Sequence, residues 1–108
     1  MSSLTWHAFD NGTTIGKKGS ENGAVVLDEE AADGARITLE QDGSVAPWSI
    51  TCGVYGLMVH TRFFADRATA EAEYEAMKPA LQAILAQLDA ADLPEQGRLA
   101  RDFVEQFP

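Results

Sequence analysis

Residues Trp48–Phe64, with the sequence WSITCGVYGLMVHTRFF, contain the strongest structural signal in the chain. Apolar and β-branched residues fill this stretch, and Tyr55-Gly56 interrupts it near the middle, which predicts a β-hairpin with a two-residue turn. Because successive side chains of a strand point to opposite faces, this turn divides the hairpin into two sets. The apolar set predicts the buried face: Trp48, Ile50, Cys52, Val54, Leu57, Val59, Thr61 and Phe63.

The other face of the predicted hairpin mixes polar, charged and aromatic side chains. Aromatic residues, Met and Arg are enriched in the cores of protein interfaces, so we expect an interaction surface here. Its predicted members are Met58, His60, Arg62 and Phe64, with Thr51 opposite His60 and Tyr55 beside them in the turn. The same register places Cys52 and His60 on opposite faces, which argues against a Cys–His nucleophile pair.

A second hairpin is predicted over residues 25–40, with a three-residue loop that ends in Gly34. This register pairs Glu30 with Arg36 and leaves Glu29 on the apolar face without a predicted partner. The apolar face contains Val25, Leu27, Ala31, Ala35, Ile37 and Leu39. A shorter first strand is predicted before the turn at Asp10-Asn11-Gly12.

After Phe64 the apolar period changes from two residues to 3.6, which predicts an amphipathic helix over 67–89 with Asp66 as its N-cap. A shorter helix is predicted over 94–107, and its apolar face packs either on this domain or on a partner subunit. The sequence therefore predicts one α+β domain over residues 1–108. An antiparallel sheet of four to five strands carries the long helix on one face.

Composition narrows the function classes. The 108 residues carry a net charge of −9, which opposes binding to nucleic acid and to anionic membranes. The longest apolar runs are far shorter than a membrane span, and the N-terminus lacks the pattern of a secretory signal. A single cysteine, Cys52, permits no internal disulfide and favours a reducing compartment, so we expect a cytoplasmic protein.

Three motifs that suggest chemistry lack the context that the chemistry needs. The loop containing Gly16-Lys17-Lys18-Gly19 differs from a phosphate-binding loop in its spacing and has no helix after it, and its GxxG match does not join two helices. His7, His60 and Cys52 are too few for a structural zinc site. Thr51 beside His60 has no third orienting acid. We predict no catalytic residues, no metal and no cofactor.

The leading hypothesis is a small, acidic, non-catalytic protein-interaction module that forms a homodimer through the outer sheet face or the C-terminal helix. The other partner is a basic protein, which this acidic chain would neutralise in an inhibitor or immunity-type role. The alternative is a small-molecule binder or enzyme with a pocket between sheet and helices, formed by Thr51, His60 and Arg62.

Overall fold

A computed structural model describes residues 6–31 and 34–108. Five strands, a short 3-10 turn and two helices make up this part of the chain. In order they are β1 (Trp6–Ala8), the 3-10 turn (Phe9–Gly12), β2 (Ala24–Ala31), β3 (Ala35–Gln41), β4 (Trp48–Val54), β5 (Met58–Phe64), α1 (Arg67–Leu88) and α2 (Leu93–Gln106). The predicted α+β class, with strands first and helices last, is confirmed.

The strands form one antiparallel sheet in the order β1-β2-β3-β4-β5, so each strand pairs with its neighbour in sequence. Both helices begin where their capping residues predict. The Asp66 carboxylate accepts a hydrogen bond from the Thr69 N–H at 2.9 Å, and Asp92 accepts one from the Glu95 N–H at 2.9 Å. Among the described residues, neither helix is long and apolar enough to cross a membrane.

The hydrophobic core lies between the helices and one face of the sheet, which we call the helix face. The helix face carries the inward side chains of β3, β4 and β5, on which α1 packs. The predicted stripe of α1 is buried against them, and Tyr74, Met77 and Leu81 have no exposed surface. The helix α2 packs within the same chain through Leu99, Phe103 and Phe107, the last of which directly follows the helix.

The predicted register of the β2–β3 hairpin is confirmed, with Ala31 opposite Ala35 and Glu30 opposite Arg36. Two residues of its connection, 32 and 33, lie outside the described part of the chain. A β-bulge between Val25 and Leu27 shifts the start of β2, so that Val25 lies opposite Glu40, on the face away from the helices. The expectation that Val25 belongs to the helix face is therefore wrong.

Glu29 has a structural partner that the sequence did not predict. Its Oε1 accepts a hydrogen bond from the Tyr74 hydroxyl at 2.7 Å and lies 2.6 Å from the Lys78 ammonium. Burial raises the pKa of Tyr74, and the hydrogen bond to Glu29 raises it further. The carboxylate thus joins β2 to α1.

The predicted register of the β4–β5 hairpin is wrong by one residue. Val54 lies opposite Met58, so the connection has three residues and includes Leu57. The Leu57 N–H donates to the Val54 carbonyl at 2.9 Å, and Gly56 has φ +78°, the value that the third position of a type II turn needs. A type II turn does not match the right-handed twist of two strands that are joined by only two residues. The connection therefore has a third residue, Leu57, before β4 and β5 pair.

This shift exchanges the two faces of β5. Met58, His60, Arg62 and Phe64 share the helix face with Ile50 and Cys52, because Cys52 lies opposite His60 and Ile50 opposite Arg62. Val59, Thr61 and Phe63 share the other face, which we call the open face, with Ser49, Thr51 and Gly53. The expectation that Cys52 and His60 lie on opposite faces is wrong for the same reason.

Candidate functional site

The six residues of the predicted interaction surface do not form one surface. Met58, His60, Arg62 and Phe64 lie half-buried on the helix face. Thr51 is on the open face, where its hydroxyl lies 3.2 Å from that of Thr61, and Tyr55 is exposed in the turn. The shifted register of β5 therefore separates the predicted set into two groups on opposite sides of the sheet.

The polar side chains of β5 on the helix face contact the C-terminal residues. The Nε2 of His60 lies 2.6 Å from the Phe107 carbonyl oxygen, and the Phe103 ring packs edge-on against the imidazole. Arg62 donates from Nε to the Pro108 carbonyl at 3.0 Å and from Nη1 to Glu73 at 2.8 Å. These contacts hold the end of the chain and the start of α1 against β5.

Cys52 lies on the same face as His60, yet the thiol is unsuited to act as a nucleophile. Burial raises the pKa of Cys52 to about 12, although the positive charge of Arg62 acts in the opposite direction. The thiolate is the reactive form of cysteine, and such a pKa keeps the group protonated at physiological pH. Cys52 therefore acts as a small hydrophobic residue of the core.

The open face holds a cleft with a volume of about 790 Å³. Strands β3 and β4 form its floor. One wall is the connection from β1 to β2, with Lys17 and Lys18, and the opposite wall is the β4–β5 turn, with Tyr55 and Val59. Thr51 lines the floor, whereas His60 and Arg62 do not line the cleft. The cleft is thus on the side of the sheet away from the predicted pocket between sheet and helices.

A buried carboxylate, Asp28, organises one end of the cleft. Arg36 donates to it from Nε at 2.9 Å and from Nη2 at 2.7 Å. The hydroxyls of Thr14 and Thr38 donate at 2.8 and 3.0 Å. Burial would raise the pKa of Asp28, but these hydrogen bonds and the positive charge of Arg36 outweigh burial and hold the pKa below its ordinary value. The carboxylate is therefore ionised and fully engaged.

A second buried carboxylate, Glu40, fixes the wall that carries the two lysines. Its Oε1 accepts hydrogen bonds from the N–H groups of Glu21 and Gly23, both at 3.1 Å. Gly19 passes so close that a Cβ there would lie 2.3 Å from the carboxyl carbon. The polar 16–23 segment is therefore anchored to β3 from beneath, and glycine at position 19 makes this approach possible.

The rim of the cleft is also held by polar contacts. The Tyr55 hydroxyl donates to Glu30 at 2.7 Å, and the guanidinium carbon of Arg36 lies 3.6 Å from the centre of the Phe9 ring. Burial, followed by the hydrogen bond to Glu30, raises the pKa of Tyr55 to about 12. The phenol therefore stays protonated and acts as a donor.

Sequence reasoning missed Asp28 and Glu40 as parts of a site, and it treated the loop with Lys17 and Lys18 only as a phosphate-binding or GxxG motif that lacks the required context. The available signal was the placement of two acids inside strands, at positions that alternate with apolar core residues. An acid in a strand usually marks a solvated face, so the signal could be recognised only once the 13–23 connection was known to fold back over the sheet.

Comparisons with protein families, with curated proteins and with solved structures found no match to this chain. Within residues 6–31 and 34–108, no group of three or more His, Cys, Asp and Glu side chains is placed to hold a metal ion.

Proposed function

We propose that this protein is a non-catalytic protein-interaction module that self-associates along the free edge of β5, on the open face of the sheet. One observation carries the proposal. The open-face side chains of β5 include Val59, which is 79% exposed, and Phe63, which is 45% exposed, on a strand that pairs only with β4 among the described strands. An edge strand of this kind can accept a further strand through its unpaired backbone groups.

A second copy of this chain suits that edge. A two-fold axis through Thr61 would set Val59 of one copy opposite Phe63 of the other, and this contact would occur twice in an isologous interface. Each such aromatic–aliphatic pair would contribute roughly 0.2–1 kcal/mol beyond the pairing of the two backbones. The alternating pattern Val59, Thr61, Phe63 therefore favours pairing of β5 with itself.

Charge supports the same edge. The chain carries −9 overall, so two copies repel each other over most of their surfaces. The strand β5 contains no Asp or Glu, and the charge of its Arg62 is already paired with Glu73 on the helix face. Contact along β5 therefore brings two acidic chains together where their repulsion is weakest.

The proposal of a non-catalytic role is supported by how the polar groups are used. Asp28 and Glu40, the carboxylates of the cleft, are occupied by structural hydrogen bonds. His60 lies on the other face and contacts the C-terminal backbone. The buried, unpaired Cys52 agrees with the proposed cytoplasmic location.

Light scattering coupled to size exclusion, over a range of protein concentrations, tests self-association. We expect a dimer that dissociates on dilution and becomes stronger at high salt, because salt screens the repulsion between two acidic copies. Phe63→Asp should abolish the dimer. Leu93→Asp, the same kind of change at an exposed position in α2, should leave it intact.

Two outcomes would contradict self-association: a monomer at every concentration and salt level, or a dimer that Phe63→Asp leaves unchanged. A basic protein partner is distinguished by the sign of the salt effect, because attraction between opposite charges weakens as salt is added. If a complex with a basic protein forms instead, and Phe63→Asp removes it, the open face of β5 is still the interaction surface, and the partner is a basic protein and not a second copy.

A second candidate function is the binding of a small molecule. The observation that favours it is the volume of the open-face cleft, about 790 Å³, which lies in the range of ligand sites.

A further inference from the structure

The cleft on the open face differs from the rest of the molecule in its charge. Of the eight Lys and Arg residues in this acidic chain, Lys17, Lys18 and Arg36 line the cleft. Its acidic side chains are Asp28 and Glu40. The side chains that line the cleft therefore have a net charge of +1, whereas the chain as a whole carries −9.

The charges that remain available to a ligand are the two lysines. Arg36 is held by Asp28 through two hydrogen bonds, and Glu40 is used by the backbone of the 16–23 segment. Lys17 and Lys18 are exposed and form no ion pair with the described residues. An ammonium group that lines a cleft without a partner can interact with an anion, and the low exposure of Asp28 and Glu40 limits competition from their carboxylates.

The lysine wall is formed before any ligand binds. Glu40 ties the backbone on one side of the lysines, and Thr14 ties the other side to Asp28 at 2.8 Å. The Lys17 carbonyl accepts a hydrogen bond from Val25 at 2.9 Å, and the Gly16 N–H donates to the Val25 carbonyl at 2.8 Å. A ligand therefore does not bear the entropic cost of ordering this wall.

The opposite wall is apolar. Its side chains Leu57 and Val59 are half-buried and exposed, respectively, and the buried Val25 adds apolar surface beside the lysine wall. A ligand that fills the cleft must bring apolar surface to these side chains, and it must place a negative group near the lysines. Neither a small inorganic anion nor a neutral hydrocarbon satisfies both walls.

We infer that the open-face cleft binds an amphipathic organic anion, in which a carboxylate lies against Lys17 and Lys18 and an apolar body lies against Val25, Leu57 and Val59. The same chemistry occurs in a free organic acid and at the C-terminus of a peptide that ends in aliphatic residues. This inference goes beyond self-association. The two proposed surfaces share Val59, but Phe63 lies outside the cleft, so Phe63→Asp separates ligand binding from the oligomeric state.

Octanoate is a direct probe. Octylammonium has a similar apolar body and the opposite charge, whereas acetate has the carboxylate and lacks the apolar body, so the two serve as matched controls. In an NMR titration of the labelled full chain, octanoate should cause saturable shifts at residues 14–20 and 51–59. Octylammonium and acetate should bind much more weakly. Equal binding of octanoate and octylammonium, shifts confined to other parts of the molecule, or no binding of octanoate would overturn the inference.

The lysines are tested by the double variant Lys17→Gln/Lys18→Gln, which should weaken octanoate binding roughly tenfold, as expected for the loss of two exposed ion pairs. The control is Arg67→Gln/Arg101→Gln, which removes two positive charges from exposed positions in the helices and should leave the affinity unchanged. An equal loss in both double variants would show a non-specific effect of net charge and would overturn the inference.

Acetyl-dileucine and its C-terminal amide separate the two sources of the carboxylate. If the peptide acid binds more tightly than octanoate and the amide does not bind, a chain terminus is the favoured ligand. If octanoate binds more tightly than the peptide acid, a free organic acid is favoured. Repeating the octanoate titration with Phe63→Asp keeps this result separate from the oligomeric state, since that variant should bind octanoate normally.

Discussion

The two faces of the sheet are stabilised by different interactions. The helix face buries apolar side chains such as Ile37, Leu39 and Ile50 against α1, and none of the three is exposed. The open face buries two carboxylates, Asp28 and Glu40, at 2% and 1% exposure, beneath a connecting segment without regular secondary structure.

This difference shows two ways of holding a segment against a sheet, by apolar packing and by hydrogen bonds to buried carboxylates. Apolar contacts are non-directional and tolerate some repacking. Hydrogen bonds to a buried carboxylate are directional, and a donor that loses its partner is costly. The helix face should therefore respond to changes in side-chain volume, and the open face to changes in charge and pH.

The largest expected effect is on the helix face. Ile37→Ala should lower the free energy of unfolding by about 3–4 kcal/mol, the range for fully buried aliphatic side chains, because it leaves a cavity beneath α1. Urea denaturation followed by circular dichroism measures the change. Val45→Ala, at a position 71% exposed, is the control and should have little effect. A loss below about 1 kcal/mol for Ile37→Ala would show that this position is not in the core.

On the open face, Asp28→Asn should lower the free energy of unfolding by roughly 2–3 kcal/mol at neutral pH, because the donors of Arg36, Thr14 and Thr38 lose an ionised acceptor. The folded-state pKa of Asp28 lies below its ordinary 3.8. Its contribution is thus complete above 3.8 and is lost as the pH falls through the lower folded-state value.

The pH dependence provides the decisive measurement for Asp28. Denaturant unfolding of the wild type and of Asp28→Asn between neutral and acidic pH should give two curves that converge below pH 3.8. Asp89→Asn, which changes an exposed carboxylate, should follow the wild-type curve. A constant difference between the wild type and Asp28→Asn at every pH would contradict a role for the ionised carboxylate.

Neighbouring phenylalanines in β5 compare the two faces directly. Phe64 packs against the core on the helix face, whereas Phe63 is exposed on the open face. Phe64→Asp should destabilise the protein by about 2 kcal/mol and Phe63→Asp by no more than about 0.5 kcal/mol. Thermal unfolding at a concentration where the protein is monomeric measures both. The reverse order would support a two-residue turn and the register that follows from it.

The effect expected at Glu40 is local. Glu40→Gln removes the negative charge that strengthens the hydrogen bonds from the N–H groups of Glu21 and Gly23 to Oε1, at a cost of about 1 kcal/mol. Hydrogen exchange should become faster at these two amides and remain unchanged in β4. Glu105→Gln, at an exposed site in α2, should change neither. Faster exchange throughout the sheet would contradict a local role.

Much of the fold could be predicted because its signals are local. Asp66 and Asp92 mark helix starts through their own side chains, and the change of period after Phe64 separates sheet from helix. The β2–β3 register was predicted because only one pairing brings its apolar residues together while matching Glu30 with Arg36. For β4–β5, the hydrophobic pattern favours the two-residue turn because that register buries Val59 and Phe63, whereas the structure adopts the other register.

Which side chains of β5 lie on the helix face depends on residues far away in the sequence. His60 and Arg62 can lie on the helix face because the carbonyls of Phe107 and Pro108, and the carboxylate of Glu73, accept their hydrogen bonds. Without these acceptors, burying either side chain would be costly. A reading of β5 alone places such polar residues in solvent, and for that reason the predicted interaction surface was divided between two faces.

Sequence alone is sufficient to predict the α+β class, the strand and helix order, the helix caps and the acidic charge, since each follows from composition or from interactions within a few residues. Only the folded chain shows which face of β5 is open, how Asp28 and Glu40 hold the connecting segment, and where Lys17 and Lys18 lie. These features join residues that are between 8 and 47 positions apart. Their energies depend on burial and hydrogen-bond geometry, which exist only once the chain has folded.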